Sequence, residues 1–344
     1  MKNGLTEAKF KSTIGIPAHL ITSPLPLVLL ISLVFWTIGP QNPAWAQTPP
    51  LVLHVVAPQA TDPAIDQALD DHLAWLDPTA ASNDKLFVFL PGFSLIPTDY
   101  EFVQQEAALL GYHVIGLIYV NSTLTGLTLV NTCRSSPDPN SCYENAHFEI
   151  VYGNGLGIDS PVVDVNQPNS IVNRLTKLLQ YLDNNYPTEG WADFLADGAP
   201  KWSKIAVSGH SQGGGNAAMI AKHQLVDRVA MFSAVADTAS EWELTHVTPS
   251  ARYWGLVHDQ ENGFGSILAG WGSLGIAAFG PVVTAETNSP PYGFTHTLAT
   301  DLRPQRGGFH DSDAHRSTAQ DRYTPLNRDG TPTLADAWRY MMSQ

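Results

Sequence analysis

The sequence predicts an α/β protein with a mostly parallel central sheet and helices on both faces. Three observations predict it. Short apolar, β-branched runs alternate along the chain with segments of helical spacing. One alternation, residues 205–216, reads strand, glycine-bracketed serine, then helix formers. No internal repeat or low-complexity linker interrupts the series.

The elements follow in chain order. Residues 51–56 are apolar and β-branched, and the acidic stretch 62–76 after them reads as helical. Residues 86–90 (Leu-Phe-Val-Phe-Leu) form a buried strand that Pro91 and Gly92 end. Thr98 and Glu101 have capping-box spacing, which opens a helix that Gly111 is placed to stop. Residues 112–120 give another strand. Residues 121–168, rich in Gly, Pro, Asn and Asp, are expected to form one long ordered insertion on the surface. Asn169 or Ser170 can cap the next helix, in which Ile171, Leu175, Leu178 and Leu182 recur at helical spacing. Residues 228–234 and 252–258 are strands, 295–300 the last of them, and a short helix starts at 333–336.

Residues 1–46 read as a secretory signal. Lys2, Lys9 and Lys11 precede an apolar core at 26–38, and Ala44-Trp45-Ala46 offers a small-x-small cleavage site before Gln47. The apolar run is shorter than the ~20 residues of a spanning helix. Export to the periplasm or medium, with no stable membrane anchor after cleavage, is therefore the expectation, and residues 47–344 are the working domain. With 18 basic and 32 acidic residues, a net charge of −14 and no basic cluster, the chain is a poor partner for nucleic acid. The only two cysteines, Cys133 and Cys142, flank a Pro- and Ser-rich loop and, in an exported chain, read as a disulfide.

Gly209-His210-Ser211-Gln212-Gly213 fits G-x-S-x-G, a sharp strand-to-helix turn that presents a nucleophilic serine. A serine hydroxyl needs a base, and the base needs an orienting acid. In this topology the chain order is serine, acid, histidine. Asp259, directly after the strand 252–258, is the preferred acid, with Asp237 and Glu261 as rivals. His310 and His315 are the two histidines placed late enough to be the base. His210 and His258 fail on order and read as packing or supporting residues. The oxyanion donors are expected to be the backbone N–H groups of Gln212 and Phe93. The 12 histidines are scattered without a convincing ligand spacing, so neither metal nor cofactor is expected.

With Pro91-Gly92-Phe93, the elbow, Asp259 and the late histidines in this order, the chain resembles the α/β-hydrolase superfamily. More narrowly it is similar to a group of secreted bacterial and plant hydrolases. The matching stretches are residues 209–218, 228–233, 253–259, 271–275 and 329–342. A shared Ala-His-Arg-Ser-Thr segment at 314–318 makes His315 the preferred base. The resemblance implies an α/β-hydrolase fold and cofactor-free cleavage of an ester-like bond, on a small-molecule, lipid or polymer ester. Two other readings are carried beside it: transfer of the acyl group to an alcohol, and an inactive exported binding protein on a hydrolase scaffold.

Overall fold

A computed structural model describes residues 51–307 and 311–343; the expected signal sequence and His310 lie outside them. Nine strands form one sheet: β1 (Val52–Val56), β2 (His72–Leu76), β3 (Leu86–Leu90), β4 (His113–Gly116), β5 (Ile205–His210), β6 (Arg228–Phe232), β7 (Tyr253–His258), β8 (Val283–Thr284) and β9 (Thr297–Thr300). Their spatial order is β1-β2-β4-β3-β5-β6-β7-β9-β8. The two pairings of β2, with β1 and β4, are antiparallel, and all the others are parallel. Eight helices are used below: α1 (Glu101–Leu109), α2 (Leu129–Cys133), α3 (Pro139–Tyr152), α4 (Ile171–Asn185), α5 (Gln212–His223), α6 (Phe264–Ser273), α7 (Asp311–Ser317) and α8 (Ala335–Ser343).

The two-residue period of β3 divides the core. Leu86, Val88 and Leu90 join the cluster built with α3, α4, α5 and α6 on one face. Phe87 and Phe89 point the other way, into a second cluster with Val103 and Ala107 of α1 and Trp338 and Met341 of α8. All five β3 side chains are fully buried, as expected of a central parallel strand covered on both faces. Each such Leu or Phe contributes about 1.5–3 kcal/mol of transfer free energy.

Register then aligns the carboxyl ends. Leu90 pairs with Gly209, His210 with Phe232, Phe232 with Leu256, and Thr300 with His258. The loops after β3, β5, β6, β7 and β9 therefore leave one edge of the sheet together, where ligand sites of such sheets lie.

Three expectations are corrected. The stretch 62–76 is not helical: its end is β2, because His72–Leu76 pairs on both sides. Thr98 does not cap α1; the first-turn N–H groups of Glu101 and Phe102 donate instead to the carboxylate of Asp321, 2.9 and 3.2 Å away. Residues 121–168 are not a surface insertion alone. They include α3, whose Tyr143, Ala146, Ile150 and Val151 are buried in the core. The Cys133–Cys142 disulfide is present and joins α2 to the start of α3. Ser170 caps α4 as expected, accepting the Asn173 N–H at 3.2 Å. Among the described residues, no helix is long and apolar enough to cross a membrane.

Candidate active site

Ser211 sits between β5 and α5 with φ +54° and ψ −122°, a conformation that costs an ordinary residue about 1–3 kcal/mol. Tight packing holds it. A Cβ placed on Gly209 would lie 2.3 Å from the Gly213 carbonyl carbon, and one on Gly213 would lie 2.0 Å from the Leu90 carbonyl oxygen. Only glycine fits either position, so the glycines that bracket the serine are demanded by backbone contact. Ser211 donates its N–H to Phe232 O (2.9 Å) and accepts from Gly214 and Gly215, which ties the turn to β6 and to the first turn of α5.

His315, on α7, lines the same cavity as Ser211. Its Nδ1 donates to Oε2 of Glu261 in a short hydrogen bond. The Glu261 side chain is fully buried, yet fully supplied with donors: Oε1 also accepts the Ser233 hydroxyl (2.7 Å) and the His258 N–H (3.0 Å). A buried carboxylate needs such partners, and three of them fix its position.

The structure brings Glu261, and not the preferred Asp259, to His315. Asp259 is the residue that directly follows β7, but its side chain is 39 % exposed and bonds the neighbouring Gln260 amide. The chain turns after His258, with the Glu261 N–H bonded back to the His258 carbonyl (3.2 Å), so the side chain two residues further on returns beneath the strand end. Asp237, the other rival, lies against Trp242 Nε1 (3.1 Å) and His147 Nε2 (3.3 Å), not against His315.

His210 is fully committed to structure. Its Nε2–H donates to the His315 carbonyl (2.9 Å), so Nδ1 accepts from the Tyr100 hydroxyl (2.9 Å). Tyr100 in turn accepts the Gly92 N–H (3.2 Å). Burial, followed by the proximity of His315, holds the His210 imidazole well below its ordinary pKa, so it stays neutral. This one ring ties the β3 loop, the serine turn and α7 together. His258 is similarly occupied, by the Leu302 carbonyl (2.9 Å) and the Gln260 N–H (3.1 Å).

The turn after β3 is pinned by Asn121, whose Nδ2 donates to the carbonyls of Gly92 (2.8 Å) and Leu95 (2.7 Å), and by Tyr119, which donates to Pro91 O (2.6 Å). Among the described residues, no protein acceptor takes the N–H of Phe93 or of Gln212. Both residues line the space beside Ser211, and Gln212 opens α5, where the helix N-terminus favours negative charge.

A cavity of about 360 Å³ contains Ser211 and His315. Its walls include Thr128, Asn131 and Arg134 from the 121–168 segment, and Asn262, Gly263 and Ser266 from the region after β7. Sequence reasoning missed the contacts of Tyr100, Ser233 and His147 in this site. Among the described residues, no group of three or more His, Cys, Asp or Glu side chains stands together as a metal site. Compared with known proteins, the chain matches no family model and no curated sequence.

Proposed function

We propose that the chain is a serine hydrolase of the α/β-hydrolase architecture that cleaves carboxylic esters through an acyl-enzyme on Ser211. One observation carries the reading: a serine on a strained strand-to-helix turn shares a cavity with a histidine whose Nδ1–H is held by a buried carboxylate. The chain order Ser211, Glu261, His315 is the one used by that superfamily.

In this mechanism Glu261 fixes the tautomer of His315 whose Nε2 carries the lone pair and acts as base. Ser211 Oγ bonds to the ester carbonyl carbon while its proton passes to Nε2. The carbonyl oxygen takes up the electron pair and is stabilised by the Phe93 and Gln212 N–H groups and by the N-terminus of α5. Collapse breaks the bond to the alkoxy oxygen, which leaves as the alcohol with the proton from His315. A water molecule then repeats the sequence against the acyl-enzyme and releases the carboxylic acid and the free serine.

The test is labelling of the purified protein by a fluorophosphonate, with Ser211→Ala as control, together with turnover of simple aryl esters. Labelling and turnover that vanish in the variant are expected. A folded protein that neither reacts nor turns over would overturn the reading in favour of an inactive binding scaffold. Acyl transfer to added alcohol in preference to water would redirect it to an acyltransferase.

A further inference from the structure

The larger cavity beside Ser211, about 360 Å³, has charged side chains of one sign in its wall. Arg134 and Arg316 both line it, and among the described residues no Asp or Glu does. The bias runs against the chain as a whole, which has 32 acidic and 18 basic residues. Nor are these two charges engaged in ion pairs. Among the described residues, the lysines and arginines that pair with carboxylates are Lys85, Lys222 and Arg339.

Each arginine is placed by its helix. Thr128, Asn131 and Arg134 recur at every third position along α2 and its two caps, and all three line the cavity, so one face of this short helix is turned to it. Thr128 also borders the small recess beside Ser211, lined by Phe93 and Gln212, where the mechanism above seats the carbonyl oxygen. At ~1.5 Å of rise per residue, the Arg134 backbone lies about 9 Å further along that face. Arg134 is exposed, and the disulfide at the preceding Cys133 ties its end of α2 to α3. Arg316 follows His315 on α7 and is half-buried. Its Nη1 donates to the Tyr323 hydroxyl (3.1 Å), which leaves the rest of the guanidinium fork for another acceptor. After burial and His315, the Arg316 charge also weighs against protonation of His210, a residue of the same wall, so the guanidinium lies within electrostatic reach of the cavity.

We propose that the substrate is an ester carrying a separate anionic group, a carboxylate or a phosphate, which Arg134 and Arg316 hold while the ester carbonyl stands at Ser211. The inference rests on the serine-hydrolase reading above and names its substrate class. A planar guanidinium fork matches the paired oxygens of either anion, and Asn131 and Ser266 add hydrogen-bonding groups to the same wall. A neutral ester of the same shape gains none of the charge-assisted bonds.

The experiment measures kcat/KM for pairs that differ in charge and little in shape. The first is 3-acetoxybenzoate against 3-acetoxybenzamide, with the charge in the alcohol half; the second is monoethyl adipate against ethyl adipamate, with the charge in the acyl half. Intrinsic reactivity favours the amide of the first pair, so it cannot mimic the preference. 3-Acetoxyphenyl phosphate, set beside 3-acetoxybenzoate, tells a phosphate from a carboxylate. An anion is expected to exceed its neutral partner by about tenfold or more, chiefly through KM. In Arg134→Gln and in Arg316→Gln that ratio, read on one sample of each, is expected to fall several-fold, and Arg134→Lys, which keeps the charge, to restore part of it. No anion faster than its neutral partner, or a preference untouched by both glutamine variants, would overturn the inference, while fluorophosphonate labelling would leave the serine-hydrolase reading intact. Arg134 is exposed, so its variants are expected to fold and decide alone if Arg316→Gln does not. Neither labelling nor turnover of any ester would overturn both readings.

Discussion

The loops that carry Ser211 and Glu261 leave the same edge of the sheet, two strands apart, yet they are held by opposite means. The serine turn is shaped by exclusion: backbone atoms approach so closely at Gly209 and Gly213 that no side chain fits. The Glu261 loop is shaped by attraction, with a buried carboxylate gathering the His315 imidazole, the Ser233 hydroxyl and the His258 N–H. Exclusion restricts residue type at fixed spacing and so leaves a pattern along the chain. Attraction asks only for an acceptor in the right place, and any of several carboxylates could supply it.

The largest effect that would test this contrast is at the serine. Ser211→Ala is expected to lower kcat for ester hydrolysis by about 10⁶ while the protein remains folded, because the turn is fixed by its glycines and not by the hydroxyl. Stopped assays with purified variant, alongside circular dichroism, check both halves of the statement.

The second effect distinguishes the two acidic residues after β7. Glu261→Gln keeps the shape of the side chain but no longer fixes the His315 tautomer, and a loss of about 10⁴ in kcat is expected. Asp259→Asn changes a half-exposed side chain bonded to a neighbouring amide, so activity is expected to stay within about twofold. Parallel kcat measurements on the two variants decide. The reverse ranking would restore Asp259 as the orienting acid.

The same division explains what could be read from the residues alone. Strand β3, the serine turn with its flanking strand and helix, and the amphipathic α4 all follow from local apolar period, glycine spacing and capping. The acid did not. Proximity to a strand end favours Asp259, and nothing in the sequence signals the reverse turn that brings Glu261 back beneath His258. Strand β2 was obscured by the acidic residues before it, since its extended state depends on pairing with β1 and β4. The N-terminus of α1 looked as if Thr98 would cap it, but the capping carboxylate arrives from Asp321, 220 residues away from Glu101. His147 was hidden inside a segment whose composition reads as loop, and only the extra glycine at Gly215 hinted that something packs against α5 there.

A third carboxylate sharpens the comparison, because it has burial without attraction. Glu243 is 1 % exposed and neither of its oxygens is hydrogen-bonded among the described residues. Burial, and then the nearby Asp237, push its pKa up to about 9, so it is neutral at pH 7. Its folded-state pKa lies above the unfolded value of ~4.3. The stability it contributes is therefore complete below that value and is lost as pH rises towards about 9. Glu243→Gln removes the titration. Melting temperatures of the variant relative to the unaltered protein are expected to become more favourable between pH 6 and pH 9. Parallel curves would show that the Glu243 carboxyl is already ionised in the folded protein.

The smallest expected effect concerns a restraint that is neither exclusion nor attraction. The Cys133–Cys142 bond spans nine positions and ties α2, whose Val130 and Asn131 wall the larger cavity, to α3. Closing so short a loop contributes roughly 2.5–3 kcal/mol in the chain-entropy model. Replacing both cysteines by serine is expected to lower the unfolding free energy by about that amount in a urea titration. It touches neither the serine turn nor the Glu261 carboxylate, and the Tyr143 hydroxyl still bonds Val130 O (3.3 Å) without it. Turnover of a small ester is accordingly expected to hold within about twofold. A loss approaching that of Glu261→Gln would mean that the wall formed by α2, and not the two loops at the sheet edge, sets the position of the reacting atoms.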